Sequence, residues 1–160
     1  MRLSSMSSLV GVVVGGACVL ASVTLRASDF VGVYAVVEKV VLEPSEAAPE
    51  RVQIWGAFAL SDRASGSAYG AAQRGYLYYA CPAGREAVCR KEWSDLQSVA
   101  GKDTGVGLGA RYKETGRVRK AGEAPAAPDP YPIERGVVRL SAGHDSLAVI
   151  ERIKALLRTR

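Results

Sequence analysis

From Phe30 to Glu43 the chain reads FVGVYAVVEKVVLE, and six of these fourteen positions are valine. β-Branched side chains crowd a helix but fit a pleated surface, so this density predicts a strand of about twelve residues. A strand that long has to bend to stay inside a small domain. The break PSEAAP at 44–49 reverses the chain, and residues 51–60 (RVQIWGAFAL) form a second strand. Val52, Ile54, Phe58 and Leu60 share one face of it. Trp55 lies on the other face beside Gly56, a residue suited to a bend or a close contact. Two long curved strands joined by a loop are how many small barrels begin.

Residues 61–73 (SDRASGSAYGAAQ) are small and polar and read as a mobile loop. A third strand at 75–81 (GYLYYAC) carries three tyrosines. Over 91–100 (KEWSDLQSVA) the period becomes helical through Trp93, Leu96 and Val99, with Gly101 as the stop. Residues 105–112 (GVGLGARY) alternate strictly, Gly105, Gly107 and Gly109 facing away from Val106, Leu108 and Ala110. A glycine face lets a sheet curve or lets another element press onto the backbone. A short strand is expected over 115–120, extended Pro-rich chain over 121–132 (AGEAPAAPDPYP) and a last strand over 136–141. The chain closes with an amphipathic helix over 145–158, where Val149, Ile150, Ile153, Leu156 and Leu157 form one stripe. Asp145 or Ser146 can cap its start, and cations gather at its end. The fold class expected is mainly β, with an α+β minority character. By analogy of element order it is an OB-fold-like β-barrel with one internal helix (91–100) and one terminal helix (145–158).

The N-terminus sets the compartment. After Arg2 no charge occurs from Leu3 to Leu25, and the centre from Leu9 to Ala21 (LVGVVVGGACVLA) is apolar. A basic start, a short apolar stretch and small residues describe a secretory signal peptide. Val19-Leu20-Ala21 fits the cleavage pocket, giving a signal of 1–21; cleavage after Ala27 is the alternative. The rival is an inner-membrane anchor through residues 3–25, which would cover ~30 Å of hydrocarbon and offers Gly11 and Gly15 as a packing face. The strongly apolar part spans only ~13 residues, nearer a signal than a span. Lipidation at Cys18 is disfavoured by Gly15 and Gly16, which stand where a Leu-like residue is wanted. Residues 22–160 then form one β-rich domain, periplasmic or secreted, with the Pro-rich loop 121–132.

Export changes how the cysteines read. Cys81 and Cys89 remain after cleavage, and in an oxidising compartment a close even pair is most simply a disulfide. Pro82 and Gly84 between them suggest a bridge pinning the end of a hairpin. The net charge of +5 is modest, and fifteen arginines against six lysines suit planar contacts to carboxylates or phosphates.

The runs GVYAVVEKVVLEP (32–44), RVQIWGAF (51–58), QRGYLYY (73–79), CRKEW (89–93) and DPYP (129–132) are similar to a group of small exported bacterial proteins of unknown function. The resemblance covers most of 28–141 and implies an exported domain. It carries no activity to transfer.

Chemistry is sparse. His144 is the only histidine, so His-based metal and haem sites lack ligands; no cofactor and no metal site is expected. Consecutive His144-Asp145-Ser146 cannot form a relay and read as a helix cap. Gly101 to Gly109 is not a phosphate loop, because its Lys follows the first Gly directly. Glu38, Glu43, Glu92 and Asp95 could serve a hydrolase of envelope glycans, but no spacing pairs them. No catalytic residue is assigned. The binding residues expected are Arg111, Tyr112, Arg117, Arg119 and Lys120 with Tyr76 and Tyr78, basic groups beside aromatics. Outside the cytoplasm that set points to an anionic envelope component (an acidic glycan or lipid) or a protein partner. Single-stranded nucleic acid ranks below these. The function expected is non-catalytic binding in the cell envelope.

Overall fold

The computed structural model describes residues 30–62, 68–112, 116–124, 127–130, 132, 136–141 and 147–159. Residues 1–29, which carry the export reading, lie outside the described residues, as do Lys113 and the segment holding His144, Asp145 and Ser146. The elements are β1 (Phe30–Pro44), β2 (Pro49–Asp62), β3 (Ala68–Ala80), α1 (Glu86–Gln97), β4 (Gly105–Tyr112), β5 (Val138–Arg139) and α2 (Leu147–Arg158). The five strands form one antiparallel sheet in the order β3-β2-β1-β4-β5.

The valine-rich strand bends where its register slips between Val37 and Lys39 against β2. The extra residue, Glu38, resets the alternation, so Val33, Ala35 and Val37 before it and Val40 and Leu42 after it reach the same core. Val52, Ile54 and Phe58 of β2, Leu77 and Tyr79 of β3, and Val106 and Leu108 of β4 join them. Leu96 of α1 and Val99 close this core from outside the sheet. On the opposite face Val36, Ala57 and Ala59 receive Val149, Ile150 and Ile153 of α2. The contact is intimate: a Cβ on Gly105 would lie 2.8 Å from side-chain carbons of Ile150. α2 reaches only the part of this face beyond Val36 and Ala57. The part nearer the β1–β2 turn stays uncovered by it.

Tyr112 pairs beside Phe30, and seven residues later Arg119 bridges Tyr76, which stands level with Trp55 and Lys39. In a flat sheet these points would lie about 33 Å apart, beyond the roughly 25 Å that seven residues can span. The sheet is therefore strongly coiled. It is nonetheless open, since no ladder joins β3 to β5 among the described residues. β5 has two residues, and the edge of β3 is taken instead by bridges to Arg119 and Asp129.

Several expectations change. Residues 68–73 belong to β3 rather than to a loop, because pairing with β2 and burial of Ala72 beside α2 outweigh their small polar composition. The internal helix begins at Glu86, five positions before the expected 91, and ends at Gln97. Over 115–120 there is one bridge, at Arg119, in place of a strand, and the expected last strand at 136–141 shrinks to β5. The Cys81–Cys89 disulfide is present, but it ties the end of β3 to the first turn of α1, where Cys89 is buried, rather than to a hairpin. Among the described residues no helix is long and apolar enough to cross a membrane.

Candidate binding face

Alternation along β2 sends Ile54 into the core and Trp55 out onto the part of the opposite face that α2 does not reach. Its cross-strand neighbours are Lys39 on β1 and Tyr76 on β3. The indole stacks on Tyr76 with ring centroids 4.5 Å apart and planes inclined by 26°. From the β1 side Lys39 Nζ sits 5.0 Å from the indole centroid. Gly56, the next residue, lets β1 come close, since a Cβ there would collide with the Val36 carbonyl.

Polar groups then fix the ring. Trp55 Nε1 donates to Gln53 Oε1 at 3.0 Å, and Gln53 Nε2 donates to Glu43 Oε1 at 2.5 Å. Tyr78 donates its hydroxyl to Glu43 Oε2 at 3.3 Å, and Arg51 Nε lies 3.6 Å from the same oxygen. Lys39 is exposed, Trp55, Gln53 and Val41 are half-buried, and the side chains of Arg51 and Glu43 keep 39% and 31% of their exposure. An aromatic ring is thus held in place, with its indole N–H already satisfied and an exposed lysine over the ring.

The chain matches no protein-family model, no curated protein and no solved structure. The geometry of this face is what bears on function.

The residues expected to bind divide into three groups. Arg119, only 7% exposed, is held internally. Its guanidinium grips Asp129 through Nη2–Oδ1 at 2.8 Å and Nη1–Oδ2 at 3.1 Å, donates to the Ala127 carbonyl, and lies over the Tyr78 ring. Its backbone exchanges two 2.9 Å hydrogen bonds with Tyr76. Tyr76 and Tyr78 are buried beneath the strap that residues 117–123 form along β3, and Tyr76 donates its hydroxyl to the Glu123 carbonyl at 2.6 Å. Burial pushes both phenols above their ordinary pKa, opposed at Tyr76 by Arg119 and reinforced at Tyr78 by Glu43. Arg117 and Lys120 are exposed on the strap, Arg117 paired with Glu123 at 2.5 Å. Arg111 and Tyr112 are elsewhere, on β4 beside Val31 and Phe30. The strap and β3 therefore gather five of the expected residues and leave these two apart.

Lys39, Glu43, Arg51, Gln53 and Trp55 were not among the expected binding residues. The signal was the same alternation that assigns Val52 and Ile54 to the core, since it places Arg51, Gln53 and Trp55 together on the other face. The carboxylates considered for hydrolysis are also distributed. Glu43 belongs to this face, and Glu38 pairs with Arg74 at 2.5 Å. Glu92 and Asp95 line a separate cleft of 300 Å³ with Val88 and Val137, where Lys91 holds Asp95 at 2.7 Å. Among the described residues no group of three or more His, Cys, Asp or Glu could hold a metal ion.

Proposed function

We propose that this chain is an exported, non-catalytic binding protein of the bacterial cell envelope and that its ligand sits on the Trp55 face. The observation carrying the reading is the indole itself, stacked on Tyr76, tied to Gln53 and overlaid by exposed Lys39. Moving an exposed lysine off an aromatic ring costs about 0.5–1 kcal/mol, so a stacking surface is available at little expense. Rigid aromatic anchors with satisfied polar neighbours are what binding surfaces use, because little rotamer freedom is lost on contact. The apolar N-terminal segment and the disulfide support export. Arg117 and Lys120 then rim the site from the strap.

We also read the coiled sheet as an OB-like barrel left open between β3 and β5. Its strand order, with a helix between β3 and β4, supports that reading.

Sedimentation with isolated cell envelopes tests the function. The purified protein should pellet with them, and Trp55→Ala should shift it to the supernatant by more than tenfold. Arg117→Ala with Lys120→Ala should change the partition by no more than about threefold, as expected for rim charges. A wild-type protein that stays in the supernatant contradicts the reading.

A further inference from the structure

We infer that the ligand on the Trp55 face is an uncharged, hydroxyl-rich sugar ring of an envelope glycan. The inference rests on the binding reading above and adds the chemical class. Charge is the first argument. Four arginines of this region already have carboxylate partners: Arg51 has Glu43, Arg74 has Glu38, Arg117 has Glu123 and Arg119 has Asp129. Of the basic residues expected from sequence, Arg117 and Arg119 are thus neutralised within the chain. A polyanion approaching Trp55 would meet Glu43 and Glu38 as well as the arginines, and like charges close together are costly.

The polar groups give the second argument. Glu43 only accepts hydrogen bonds, Arg51 only donates, and Gln53 does both. All three stand in successive positions on the side of the indole nearest the β1–β2 turn. A sugar hydroxyl both donates and accepts, so neighbouring hydroxyls can satisfy such a mixed row. A phosphate or carboxylate oxygen only accepts and has nothing to offer Glu43.

The third argument is the ring. Its π face carries negative charge density, which attracts the polarised C–H groups on the flat side of a pyranose. Lys39 now occupies that flank with its ammonium, and a sugar would displace it. Lys39 is exposed, so its loss leaves the fold intact. The pair works as a self-plug.

The test uses a Trp93→Phe background, in which Trp55 is the sole tryptophan. Its fluorescence is followed on titration with uncharged oligomers of glucose, mannose and N-acetylglucosamine. Polygalacturonate, oligothymidylate and phosphatidylglycerol vesicles are titrated in parallel. At least one uncharged oligomer should bind with an affinity that does not change with salt, and Gln53→Ala should weaken it several-fold. Lys39→Ala should tighten it about two- to fivefold, the equivalent of the lost cation–π contact. Response to the charged probes alone, falling steeply with salt, overturns the inference. So does an affinity that Lys39→Ala leaves unchanged. Envelope sedimentation that needs Trp55, with no response to any uncharged oligomer, refutes the sugar and leaves the binding face standing. Failure of both removes both.

Discussion

Removing the Arg119 guanidinium would leave the Asp129 carboxylate against β3 with its counter-charge gone, the Asp129 side chain being only 20% exposed. Arg119→Ala is expected to cost about 3 kcal/mol, and Arg119→Lys should recover little because one ammonium cannot replace a two-pronged contact. Arg117→Ala, on a side chain 64% exposed, should stay within about 0.5 kcal/mol. Urea denaturation of the three variants checks the ranking; equal losses would contradict it. The buried tyrosines make a pH prediction. Their phenols ionise near pH 10 in the unfolded chain and higher when folded, mainly through burial. The folded state holds those protons more tightly, so this stabilisation is complete below about pH 10 and is lost as pH rises through the folded values. Replacing Tyr76 and Tyr78 with Phe should flatten the alkaline fall in the urea midpoint; an unchanged slope would refute the assignment. At this scale the sequence was partly readable. Alternation told which face Trp55 takes, but nothing local marks Arg119 as structural, because its partner lies ten residues on across a proline-rich stretch. A basic residue beside tyrosines looks the same whether it meets a ligand or its own chain.

Between elements, two joints hold the helices. The disulfide closes a nine-residue loop from β3 into α1, worth about 2.5 kcal/mol through the unfolded chain's lost freedom. Reduction, or Cys81→Ser with Cys89→Ser, should lower unfolding free energy by that order; an identical urea midpoint would show that the bridge carries no stability. α2 rests on a glycine. Gly105→Ala places a methyl against Ile150 and should cost about 1–3 kcal/mol. The same change in an Ile150→Ala background should cost markedly less, and a double-mutant cycle without coupling would contradict the packing. β1, β2 and α2 were legible because valine density and helical spacing are strong local signals. The start of α1 was not. Arg85 at its N-cap makes no side-chain cap, and Glu86 instead accepts the Gly84 N–H at 2.8 Å. That bond and the one from its own N–H hold the Glu86 carboxyl below its ordinary pKa. The first half of β3 is not legible in the sequence, because it takes its order from β2 and α2, not from its own residues.

For the whole molecule, a coiled five-stranded sheet buries one face under α1 and divides the other between α2 and the Trp55 surface. The division follows from length: α2 has twelve residues, about 18 Å, while β2 at fourteen residues runs about 46 Å. A helix that short cannot cover so long a strand, and Lys39, Gln53 and Trp55 stand where it leaves off. Element order made the mainly β class legible; strand pairing and closure were not, since they depend on contacts between distant segments. The proposed export rests on the first twenty-nine residues, and the proposed ligand face on β1 to β3. The most direct test of the binding claim is an amide chemical-shift map of the labelled protein with solubilised envelope fragments. Shifts should concentrate at Lys39, Val41, Glu43, Arg51, Gln53 and the Trp55 indole. Shifts centred instead on Glu92 and Asp95 of α1, or on Arg111 and Tyr112 of β4, would contradict it.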